Sequence, residues 1–97
     1  MVDVLHLEDF APHVNKLFRF EGWHDALRLD RIDRPHHTDR PELPRPPFTL
    51  IFVGPRGDVM PEGIRTAIVD DSPALEFYIM TIHTPATDRQ EYQAVFN

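Results

Sequence analysis

The densest group of side chains able to hold a ligand lies between residues 33 and 39. Asp33, His36, His37 and Asp39 place four metal-type ligands within seven residues, in a chain with six histidines. Neutral imidazole and carboxylate suit zinc, nickel or copper. The neighbours argue against a shared ion. Pro35 favours an extended backbone that turns adjacent side chains apart, so His36 and His37 would rarely meet one metal. No H-x-H or H-x₃-H pair supports them. A solvated loop explains the same residues, and no cofactor is expected.

The other candidates are thinner. His24-Asp25, after Trp23, could form an acid–base pair, but catalysis would need a nucleophile or metal within hydrogen-bond reach. Ser72 is the sole serine. It precedes Pro73 in a turn and lacks a G-x-S-x-G elbow. Asp70-Asp71 matches no calcium loop and reads as turn solvation. Gly54-Pro55-Arg56-Gly57 has no G-K-[ST] and no following helix, so it is no phosphate loop. Arg56-Gly57-Asp58 spells the integrin tripeptide, which a turn explains equally well. Pro41-x-x-Pro44 could offer a polyproline ligand, but Arg40 and Arg45 miss the usual basic offsets. No coherent catalytic set emerges, and the expectation is a protein that is not an enzyme.

Charge and composition narrow the partners. The chain has 97 residues and a formal net charge of −6. Between Leu17 and Arg45 six arginines are matched by six acids, so no basic stripe invites nucleic acid. There is no cysteine, which removes disulfides, thiolate metal sites and cysteine nucleophiles. The N-terminus has no basic segment followed by an apolar one, and the longest apolar run, Leu50 to Val53, is far too short to span a membrane. A soluble cytoplasmic protein is expected, without nucleic-acid or membrane partners. An apolar fraction of 41% and ten aromatics suffice for one thin core.

These residues must be positioned by strands. Leu7, Phe10 and Val14 recur at helical spacing, which predicts one short helix near residues 6–14. After it the period becomes two. Strands are expected at 17–20, 26–34, 48–53, 64–69, 75–82 and 91–96, separated by Gly, Pro and Asp turns. Ile32 falls out of phase with Leu27 and Leu29, which calls for a bulge near Asp30 or a strand end there. Phe48 to Val53 is apolar on both faces and should be central. Pro35 to Pro47 holds five of the ten prolines and reads as a solvated loop inside a single domain spanning 1–97. Six or seven strands without interleaved helices make an all-β, mainly antiparallel fold, either a small barrel or a sandwich. The helix should cover one end through Leu7, Phe10 and Val14.

Several stretches resemble a known family. Phe48-Thr49-Leu50-Ile51-Phe52-Val53-Gly54-Pro55 looks like an F-[ST]-L-x-F-x-G-P strand. Glu91 to Asn97 resembles a Y-[EQ]-A-V-F-N ending. Leu75 to Ile82 resembles a penultimate apolar strand, and Phe10 to Phe18 resembles an F-x-x-h-G-x-x-F opening, where h is apolar. Together these are similar to a small bacterial family, domain of unknown function 6916, over nearly the whole chain. Asn15 stands where the family usually has Gly, and Gly63-Ile64 replaces its usual Gly-Tyr. The resemblance implies no activity and no catalytic residues. It carries an association with phage-tail-collar-like proteins, which implies a structural or accessory role.

The leading expectation is a non-catalytic β domain acting through protein contacts, with a protein partner or a second copy. Ile51, Val53, Tyr78, Met80 and Ile82 lie opposite the better-defined core face and would form the contact, rimmed by Arg65 and Glu76. The alternative is a small-ligand or metal-binding barrel using the His-rich loop.

Overall fold

The computed structural model describes residues 5–34, 47–84 and 88–96. Six strands follow two short 3-10 turns. They are β1 (Leu17–Phe20), β2 (Leu27–Asp33), β3 (Phe48–Gly54), β4 (Gly63–Ile68), β5 (Leu75–Ile82) and β6 (Gln90–Phe96). All pairings are antiparallel, and the sheet closes in the order β1-β2-β3-β6-β5-β4. Exchanging the first three strands for the last three leaves this order unchanged, so the barrel consists of two three-stranded meanders joined at β3–β6 and β1–β4. Closure removes the edges that a short open sheet would expose.

Two strands make the corners. β1 pairs with β2 through Leu17 and Phe18, then with β4 through Arg19 and Phe20. β5 pairs with β4 from Leu75 to Ile79 and with β6 from Met80 to Ile82. A strand that divides its bonds this way turns the sheet back on itself. β3 is bonded along its length on both sides, as its apolar sequence requires.

The register of β2 slips between Leu29 and Arg31. Asp30 is the extra residue of a bulge, so Leu27 and Leu29 point inward before it and Ile32, opposite Leu50, points inward after it. The bulge also gathers charge. Arg28 Nη1 and Arg31 Nη1 lie 2.9 and 3.1 Å from the Asp30 carboxylate, and Arg31 Nε lies 3.2 Å from Asp33.

The expected helix takes the form of two 3-10 turns, Leu7–Asp9 and Ala11–His13, with Phe10 between them. Pro12 lacks the donor that a longer helix would need. Phe10 is fully buried, its ring 5.6 Å from Phe77, 5.3 Å from Phe96 and 6.0 Å from Phe48. It fills the side of the barrel where the β5–β6 ladder has stopped. Leu7 and Val14 pack beside it. Inside, Phe18, Phe20, Phe52 and Phe77 touch in a continuous series of rings. At the opposite end Met60, from the β3–β4 connection, is buried and its amide donates to the Tyr92 hydroxyl.

Among the described residues, no helix is long and apolar enough to cross a membrane.

Candidate protein-contact face

The polar groups singled out in the sequence are disposed as follows. Asp33 is on β2, in an ion pair with Arg31. His36, His37 and Asp39 lie outside the described residues, as does most of the Pro35–Pro47 loop. Among the described residues, no group of three or more His, Asp or Glu side chains is placed to hold a metal ion.

His24 and Asp25 do meet: His24 Nε2 lies 3.1 Å from Asp25 and 3.1 Å from Asp58. The second partner was invisible in the sequence, because it arrives from the β3–β4 connection 34 positions away. Trp23 lies against the imidazole. Arg56 donates to the Thr84 and Arg89 carbonyls at 3.4 and 3.0 Å. Both charged residues of the Arg56-Gly57-Asp58 tripeptide are therefore engaged within the fold, which is the behaviour of a tethered turn.

Ser72 Oγ lies 3.5 Å from His13 Nε2. This pairing also escaped sequence reasoning, since it joins the N-terminal turns to the β4–β5 turn. His13 Nδ1 is buried without a hydrogen-bond partner among the described residues. The nearby Asp70 is bonded to Lys16 at 2.6 Å, and that bond holds its carboxyl below the usual aspartate range. Among the described residues, His13 thus has no carboxylate bonded to Nδ1 of the kind that orients the base of a triad.

A groove of about 300 Å³ opens beside Asp33, Arg34 and Pro47, floored by the stacked rings of Phe48 and Phe96. Its walls are the borders of the segment outside the described residues.

The outward face divides into two parts of different character. Over β2, β3 and β6, Ile51 is only 4% exposed, although it points away from the barrel interior. It sits in register between Arg31 and Gln93, whose long side chains flank it. Val53 is half-buried opposite Arg28, and Met80 and Ile82 are half-buried opposite Gln93 and Glu91. Long polar side chains shield apolar surface along their stems. The uncovered patch expected at Ile51 is thus largely closed by its own neighbours, and the charges here are paired, Asp30 and Asp33 with arginines on β2 and Glu91 with Arg89. Burial raises the Asp30 carboxyl, and the arginine hydrogen bonds and charges outweigh it and lower the group below its usual range.

Over β4 and β5 the face is open. Ile64 is 68% exposed and Tyr78 45% exposed, and they are direct cross-strand partners. Tyr78 is continuous through β5 with Met80. Its hydroxyl donates to Glu62, and that bond raises the phenol above its ordinary range. In the sequence Ile64 reads only as part of a β-branched strand; its alternation with Ala67 and Val69 is the signal for an outward position. Arg65, expected at the rim, is opposite Phe77 and so lies on the inward side, donating to the Pro61 carbonyl. Glu76 is on the outward side as expected, opposite Thr66.

Among the described residues the protein is a closed six-stranded antiparallel barrel with a filled interior; Leu17, Val59 and Val95 are exposed as well, and Ile64 and Tyr78 are the exposed pair that face each other across a ladder. The model of a domain of unknown function, DUF6916, matches residues 5–96, and the chain belongs to that family. No curated protein and no solved structure matches it.

Proposed function

We propose that this domain is a non-catalytic structural or assembly-accessory module that works through protein–protein contacts in the cytoplasm. The observation that carries the reading is the exposed Ile64–Tyr78 pair on β4 and β5. Each large apolar side chain left in water forgoes roughly 1.5–3 kcal/mol of burial, and two directly opposite one another make a recognition surface. The association with phage-tail-collar-like proteins that the sequence resemblance implies would suit a component or helper of a tail-like assembly. The rival reading is a small-ligand or metal-binding barrel that uses the His-rich loop; His36, His37 and Asp39 lie outside the described residues, and the ring series from Phe18 to Phe77 speaks only against a ligand inside the barrel.

The test is photo-crosslinking in the source cells, with the reactive side chain installed in place of Ile64 or, as a control, of Arg31 on β2. A discrete protein adduct from position 64 and none from position 31 is expected. No adduct, or the same adducts from both positions, overturns the reading.

A further inference from the structure

The two parts of the outward face differ in charge; Val95 on β6 is also exposed, so apolar exposure alone does not separate them. On the β2–β3–β6 side each carboxylate has an arginine: Asp30, Asp33 and Glu91 are all paired. Around Ile64 and Tyr78 the carboxylates have none. Glu21 continues the β1–β4 ladder, its amide bonding the Thr66 carbonyl at 2.8 Å. Glu76 flanks Thr66 from the other side. These two close one side of the apolar pair, and Glu62, holding the Tyr78 hydroxyl, closes the other. Among the described residues, none of the three is in an ion pair; Arg19, on the same face, has none either, and the Arg65 guanidinium reaches the rim from the inward side, on the Pro61 carbonyl and beside Gly22. The centre is apolar and the rim is net negative, in a chain already carrying −6.

We infer that the occupant of the β4–β5 face is a different protein that presents an apolar patch ringed by lysine or arginine. This rests on the protein-contact reading above and deepens it. A second copy of the chain fits poorly. Laying this face on itself would bring three carboxylates from each side into one partly desolvated rim with only Arg19 and Arg65 apiece to offset them, and the excess of like charge costs affinity. A basic rim instead supplies the missing partners for Glu21, Glu62 and Glu76 and speeds encounter through attraction.

The experiment is an amide-resolved NMR titration of the full chain with two short synthetic peptides. One has a core of isoleucines flanked by lysines, and the other has the same core flanked by glutamates. The lysine peptide should shift the amides of Ile64, Thr66 and Tyr78. Its affinity should fall roughly tenfold or more when salt is raised, or when Glu21→Gln and Glu76→Gln are combined. The glutamate peptide should bind at least about tenfold more weakly. Equal binding of the two peptides, shifts centred on another face, or concentration-dependent dimerisation through these amides without peptide would overturn the inference. A crosslinked partner at position 64 that proved to be a second copy would overturn it too, while leaving the protein-contact reading intact.

Discussion

The Met60 amide donates to the Tyr92 hydroxyl at 3.1 Å in a site where both residues are buried. This bond ties the β3–β4 connection to β6 and closes the barrel end opposite Phe10. Tyr92→Phe keeps the ring and leaves the amide unsatisfied, which costs about 1–3 kcal/mol. Urea denaturation should show a lower midpoint with an unchanged slope. An unchanged midpoint would mean that water reaches the amide and the end is open.

Phe10 plays the corresponding part at the other end. Its ring contacts Phe48, Phe77 and Phe96, and β5 and β6 have no ladder to offer there. Phe10→Ala should destabilise the fold by about 3–5 kcal/mol, whereas Leu7→Ala, at a half-buried position, should cost clearly less. Equal losses in thermal unfolding would contradict a plug centred on Phe10.

Asn15 has a φ of +74°, in the left-handed region. Glycine adopts that conformation freely and asparagine tolerates it. Asn15→Gly should therefore be nearly neutral, and Asn15→Val should cost about 1–2 kcal/mol through backbone strain. Should the valine variant match wild type in a denaturant melt, the turn has another conformation in solution.

Gly54 ends β3 inside the core, where a Cβ would overlap Leu27 Cδ2. Gly54→Ala is expected to lose about 1–3 kcal/mol by overpacking. Leu27→Ala alone should also destabilise, yet the double variant should lose less than the sum, because the space vacated by one accepts the other. Strict additivity in a double-mutant cycle would refute this contact.

The bulge at Asp30 sets an acid limb on stability. Arg28 and Arg31 hold its carboxyl below the unfolded value. A depressed carboxylate contributes stability that is fully present above the unfolded pKa of about 4 and is lost as pH falls through the lower folded value. Asp30→Asn should thus be less stable by up to about 1 kcal/mol at neutral pH, the range for partly exposed pairs. Unfolding free energies measured at about pH 7 and about pH 3 should converge for the two proteins at the acid end. A difference that stays constant with pH would assign the effect to packing.

Much of the architecture followed from local rules acting on the sequence. Two-residue alternation with β-branched and aromatic side chains set the six strands. Ile32, one step out of phase, located the bulge to within a residue. Phe10 was recognisable as a plug because it is the one aromatic in an apolar repeat that precedes the strands. Such features depend on near neighbours in the chain, where pattern and turn chemistry decide the outcome.

The contact face was decided only when the barrel closed. Alternation placed Ile51 and Tyr78 alike on outward faces, but it could not say that Arg31 and Gln93 would flank the first while the second would stand open beside Ile64. That difference depends on cross-strand register, and a shift of one residue reverses every side chain. Arg65 moved inward for the same reason, through its pairing with Phe77. The joining of His24 to Asp58, and of Ser72 to His13, likewise required loops from distant parts of the chain to meet. Non-local contacts of this kind are set by how the strands wrap and pair, which no single segment encodes.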